Sequence, residues 1–280
     1  MDQQSQYQFL DRDFPSALGY FKDLLGRDRV KNIVKTGQSS ATPHFWYPYL
    51  KAVGKWERDG ADFAMSTRYP RLIELGSHIT HIRLFEKDWG GEPQRSEFMH
   101  RLRTSRMVAG LLFELRAGFH FLNRGLSVKW VANTGDQKVP DLEIAADGSR
   151  VIVECTCKQP HIRRRLWDKK LVEDMLKSAS DKLDSSTDWG CPRLVAVRVP
   201  EEVRWAEGQI KKLFDQQLSA WVHEGRMRYV NVAYFMGHED PRPVTAAGRV
   251  RYYDTSNRVF LFNNPMAYYS LPISVALALG

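Results

Sequence analysis

Two carboxylates, Asp141 and Glu154, flank an Asp147–Gly148 dipeptide in the segment PDLEIAADGSRVIVECTCK, residues 140–158. An Asp-Gly pair between two alternating apolar runs predicts a β-hairpin with a two-residue turn. The turn sets the register, pairing Ala146 with Ser149, Ile144 with Val151 and Asp141 with Glu154. Like charges placed so, with Cβ atoms ~5 Å apart, destabilise a hairpin. A hard cation between them reverses the sign of that interaction. Two carboxylates, a backbone carbonyl and waters suit Mg²⁺ or Mn²⁺. Strand alternation puts Lys158 on the same face, where it could hold an attacking water or offset phosphate charge. Glu143 shares that face as an alternative third acid.

The same alternation gives the other face Leu142, Ile144, Val151, Val153, Cys155 and Cys157. The two cysteines are therefore expected in the core as small hydrophobes. Cys191 is a lone third, so no four-sulfur zinc site can be completed. The acidic face, by contrast, is expected to look into solvent.

The elements that must position these residues are legible around the hairpin. Apolar periodicity predicts a long helix over residues 96–124, stopped by Gly125, then a strand at LSVKWVA, the hairpin, and a helix over 161–185. A buried strand RLVAVRVP, a helix over 201–224 and late strands RYVNVAYFM and RVFLF follow. The order is α-β-β-β-α-β-α-β-β, a mixed sheet flanked by helices and so an α/β class. Before it, residues 1–95 read as a helical N-terminal region. FPSALGYFKDLLG forms a helix that stops at Gly26, and DWGGEPQR, residues 88–95, reads as a linker or exposed loop. The aromatic run PHFWYPYLKAVGKW could stack bases, but with little interleaved basic charge it reads as core packing.

Of 280 residues, 43% are hydrophobic, which excludes a disordered chain and supplies a core. Three cysteines are too few for a disulfide framework. The polar, acidic N-terminus lacks the layout of a signal peptide, and the tail LPISVALALG is too short to span a bilayer. A soluble cytoplasmic protein with no membrane partner is expected. The net charge of +8 is uneven: residues 1–98 hold 14 Lys and Arg against 13 Asp and Glu, leaving 27 against 20 in the remainder. A basic excess in one half favours a polyanion, most simply nucleic acid.

Pro140–Asp141, Glu154 and the α-β-β-β-α-β order over residues 96–199 together resemble the PD-(D/E)xK nuclease superfamily. The resemblance covers little more than a third of the chain. It implies a restriction-endonuclease-like core over residues 96–280 and a metal site with Asp141 and Glu154 as ligands. Lysine usually stands two residues after the acid in that superfamily. Here Thr156 occupies that position and lysine comes two later, as Lys158. The resemblance also implies a glutamate on the first core helix, which GLLFELRAG offers as Glu114. Gly110 and Gly118, one turn on either side, would let another backbone approach.

Arg163, Arg164, Arg165, Lys169 and Lys170 crowd the start of the helix after the hairpin. Cations there oppose the helix dipole, a cost that phosphate contacts would explain. Gln159 and His161 flank the site. The expected function is metal-dependent hydrolysis of phosphodiesters, with DNA as the partner and Asp141, Glu154, Lys158 and Glu114 as the catalytic set. The alternative is a module that binds nucleic acid, or assembles with partners, on the same fold without cleaving; Thr156 is its support. Residues 1–95 are where DNA recognition, a homodimer contact or a partner protein is expected.

Overall fold

In the computed structural model the described residues are 14–60, 69–133, 139–157, 173–174, 177, 190–199, 207–225, 230–236, 242–246, 249–254 and 258–279. They fall in two compact units. One comprises Met1–Leu112 with Glu239–Thr255, the other Phe113–His238 with Ser256–Gly280.

The first unit begins with helices α1 (Phe14–Leu25), α2 (Arg27–Gly37), α3 (Tyr47–Asp59) and α4 (Pro70–Leu84). The start of α1 at Phe14 and the stop before Gly26, whose φ is +88°, agree with the sequence. The aromatic run packs as expected: Trp46 is fully buried, with its ring 4.8 Å from that of Phe21 and 5.7 Å from that of Tyr49.

The expected loop at 88–95 is instead a 3-10 turn, Glu86–Trp89, followed by helix α5, Glu92–Arg103. Pro93 sits in the first turn of α5, where proline's missing N–H costs nothing, so it starts a helix rather than breaking one. Trp89 is buried, its ring 4.4 Å from that of Phe98.

The long helix expected over 96–124 is two helices. Helix α5 ends at Arg103, Thr104 is extended (φ −98°, ψ 106°), and α6 runs from Ser105 to Leu122. Distant side chains satisfy the carbonyls that the break exposes. Trp46 Nε1 donates to Leu102 O at 3.0 Å, and Arg29 and His44 converge on Arg103 O. The Ser105 hydroxyl accepts from Phe45 N at 2.9 Å.

The second unit holds a six-stranded mixed sheet in the order β1-β2-β3-β4-β5-β8. Its strands are β1 (Ser127–Trp130), β2 (Leu142–Ala146), β3 (Ser149–Thr156), β4 (Arg193–Val199), β5 (Val230–Met236) and β8 (Arg258–Phe262). Pairs β1/β2, β2/β3 and β5/β8 are antiparallel; β3/β4 and β4/β5 are parallel. Leu194, Val195, Ala196 and Val197 of β4 are all fully buried, so both faces of the centre are covered.

The expected helix over 161–185 lies almost wholly outside the described residues, of which Glu173, Asp174 and Lys177 are helical. Helix α7 (Glu207–His223) precedes β5. Two elements go beyond the sequence reading: a hairpin of β6 (Arg242–Ala246) and β7 (Arg249–Asp254), and a short helix α8, Ile273–Leu279. Among the described residues no helix is long and apolar enough to cross a membrane.

Candidate functional site

The hairpin register is the one the Asp-Gly turn dictates. Leu142 pairs with Val153, Ile144 with Val151 and Ala146 with Ser149. Asp147 and Gly148 have φ of +52° and +70°, as the two central residues of a type I′ turn require. Asp147 is the one non-glycine residue with positive φ among those described.

The ladder stops one residue short of the expected acidic pair, because β2 begins at Leu142. Asp141 is nevertheless fastened to β3 on both sides of Glu154. Its N–H donates to Val153 O at 3.0 Å, and its carboxylate oxygen Oδ2 accepts from Cys155 N at 2.8 Å. The carboxylate therefore turns toward the backbone of β3 beside Glu154. A charge-assisted bond of this kind fixes the side chain and offsets part of its charge.

Glu154 is only 6% exposed, contrary to the expectation of a solvent-facing patch. The reason is topological. With β4 on its far edge, β3 is an internal strand, and Glu154 pairs with the fully buried Val195. Ile152, Val197 and Val232, on the same face by pairing and alternation, are fully buried as well. A buried carboxylate is costly unless its charge is compensated.

Glu114 is also buried, at 4% exposure, but its partner is Trp130, whose Nε1 donates to Oε2 at 3.1 Å. Trp130 pairs with Leu142, and Leu142 with Val153, so these three project from one face and Glu154 from the other. The expected grouping of Glu114 with Asp141 and Glu154 is thus not formed: α6 meets the sheet from the Trp130 side. Among the described residues no three His, Cys, Asp or Glu side chains come close enough to hold a metal together. Nor does Gly110 admit a neighbouring backbone, since the nearest atom to a Cβ there would be an Arg101 guanidinium nitrogen at 3.9 Å. Glu143 is engaged elsewhere, in an ion pair with Arg150 at 2.6 Å.

Cys155 and Cys157 are half-buried rather than fully in the core, because β3 ends at Thr156 and Cys157 lies just past it. Arg198 Nη1 donates to Cys157 Sγ at 3.8 Å. Burial pushes the Cys157 thiol up from its ordinary range and the charge of Glu114 adds to this, while Arg198 opposes it. The Cys191 thiol is raised chiefly by burial. None of this favours a reactive thiolate.

Comparison with known protein families, curated proteins and solved structures gives no match. Thr156, at the position two after Glu154, is half-exposed and pairs with Val197. Lys158, Gln159, His161, Arg163, Arg164, Arg165, Lys169 and Lys170 all lie outside the described residues.

Proposed function

We propose that this chain is a metal-dependent nuclease built on a PD-(D/E)xK-like hairpin, acting on DNA. The observation that carries the reading is the attachment of Asp141 to Val153 and Cys155, the two neighbours of Glu154. It fastens Asp141 to the strand that carries Glu154, where β2 enters a mixed sheet. The donor set is hard oxygen, which fits Mg²⁺ or Mn²⁺ and does not fit a thiolate metal. Asp141 and Glu154 would hold the ion, with backbone carbonyl and water completing its shell. When bound, the ion would lower the pKa of a water and stabilise charge on the phosphate. Lys158 is assigned to position the nucleophile, and the basic residues from Arg163 to Lys170 to contact phosphates. Glu114, committed to Trp130 on the other face, is assigned a structural role.

The second reading, a module that binds nucleic acid without cutting it, is favoured by Thr156 in the lysine position.

Labelled single- and double-stranded DNA and RNA, incubated with Mg²⁺, Mn²⁺ or EDTA, separate the two. Cleavage that needs the metal supports the nuclease. Binding without cleavage under every condition supports the alternative. Calorimetric titration of Mn²⁺ gives a readout apart from activity: the heat should vanish in Asp141→Asn and in Glu154→Gln.

A further inference from the structure

We infer that the face of the molecule carrying α8 is a contact between two copies of this chain. Single exposed apolar side chains are ordinary on a protein surface, whereas a concentration of them marks an interface. The large hydrophobic side chains found exposed among the described residues are Met266, Tyr268, Ile273 and Leu277, at 67%, 73%, 76% and 72%. All lie between residues 266 and 277. Ile273 and Leu277 are one helical turn apart and so share a side of α8.

This is not a frayed tail. Val275, Ala278 and Leu279 of α8 are buried, so its inner side is docked. Near its start, Ser274 N donates to Asp147 Oδ2 at 3.3 Å. Near its end, Ala278 O accepts from Arg124 at 3.0 Å and lies 2.8 Å from His120 Nε2. The outer side is therefore held in a fixed orientation, and little further ordering would be needed to bind through it.

Charge selects the occupant. The chain carries a net +8, yet no Asp, Glu, Lys or Arg occurs after Arg258. A polyanion or an anionic membrane would be met by a cluster of Lys and Arg at the contact, whereas residues 259–280 supply none and Arg124, bonded to Ala278 O, is a single cation at the end of α8. An acidic protein would gain nothing from it either. A second copy carries the same net charge, and a stretch without charged side chains is a place where two copies meet little repulsion. A twofold axis brings a patch against itself, and an apolar patch is complementary to itself. A stable dimer buries ~800 Å² per partner. Met266, Tyr268, Ile273 and Leu277 supply the apolar centre of such a contact, and the exposed, uncharged Asn263, Pro265 and Ser270 its rim. This places self-association at the C-terminal helix instead of in the helical N-terminal region.

Sedimentation velocity of the full chain over a concentration series tests the inference, without reference to nuclease activity. The wild type should shift from monomer to dimer within the micromolar range. Ile273→Lys/Leu277→Lys, which sets like charges against each other across the axis, should weaken the dimer about a hundredfold or more. Its circular dichroism and melting should stay close to wild type, because both side chains are exposed. Should the lysine pair fail to fold, Ile273→Gln and Leu277→Gln singly must each still weaken association. A wild type that stays monomeric, or a dimer that these substitutions leave intact, overturns the inference. Monomers that float with neutral lipid vesicles overturn it in favour of a membrane surface.

Discussion

The carboxylate of Asp141 accepts a hydrogen bond from the backbone N–H of Cys155 at 2.8 Å. This bond gives Asp141 a structural duty as well as the proposed chemical one, and two substitutions separate them. Asp141→Ala removes the acceptor and should cost about 1–2 kcal/mol in a denaturant titration. Asp141→Asn can keep the bond through its amide oxygen and should cost less. Both should lose Mn²⁺ binding. If Asp141→Asn binds Mn²⁺ like the wild type, Asp141 is a structural residue alone.

Glu114 makes the opposite prediction. Its bond to Trp130 Nε1 should survive in Glu114→Gln and be lost in Glu114→Ala, leaving a buried indole N–H unsatisfied at about 1–3 kcal/mol. Mn²⁺ affinity should be unchanged in Glu114→Gln. Removing this negative charge also lowers one of the influences that raise the Cys157 thiol, so Cys157 should react faster with iodoacetamide at neutral pH. Loss of Mn²⁺ binding in Glu114→Gln would return Glu114 to the metal site.

Stability should fall on the acid side through His120. Burial, the largest cause, and the charge of Arg124 hold its pKa below the ordinary histidine value, against the opposing bond to Ala278 O. The folded chain then binds fewer protons than the unfolded chain as the pH falls through about 6.5. The stabilisation is complete above that pH and is lost progressively below it. The carboxyl of Glu74 acts in the same direction at lower pH. Burial alone would raise it, but His78, Tyr49 and Arg71 together hold it below its ordinary range. Melting temperatures at pH 8 and pH 5.5 should differ less in His120→Gln than in wild type. An equal drop in both would show that His120 does not contribute.

Gly110 should be replaceable at a gain. It lies inside α6, and a methyl group there meets nothing closer than 3.9 Å. Gly110→Ala should therefore stabilise the protein by up to ~1 kcal/mol, read as a higher melting temperature.

The parts of the fold visible in the sequence are those decided locally. The Asp147–Gly148 turn dictates its own register, and alternation then assigns every side chain of β2 and β3 to a face. Gly26 stops α1 for the same kind of reason. The parts that stayed hidden depend on distant partners. The break at Thr104 is stabilised by Trp46, His44, Arg29 and the backbone N–H of Phe45, and no local pattern announces those contacts. Pro93 reads as a breaker until a helix is known to begin one residue before it. Glu154 reads as solvent-facing until β4 is known to lie beside β3. Glu114 reads as a third acid from spacing alone, while the side from which α6 approaches is a tertiary fact that Trp130 reveals. That knowledge could not come from a helix pattern, although a buried tryptophan beside a helical glutamate is a partnership worth weighing.

The most direct test of the central claim is a cleavage assay on supercoiled plasmid and on short single- and double-stranded DNA, with wild type, Asp141→Asn and Glu154→Gln side by side. The proposal predicts cleavage by wild type in Mg²⁺ or Mn²⁺, none in EDTA, and a loss of at least about 100-fold in either variant, each still folded by circular dichroism. Cleavage that persists in EDTA, or equal cleavage by Asp141→Asn and wild type, would contradict it.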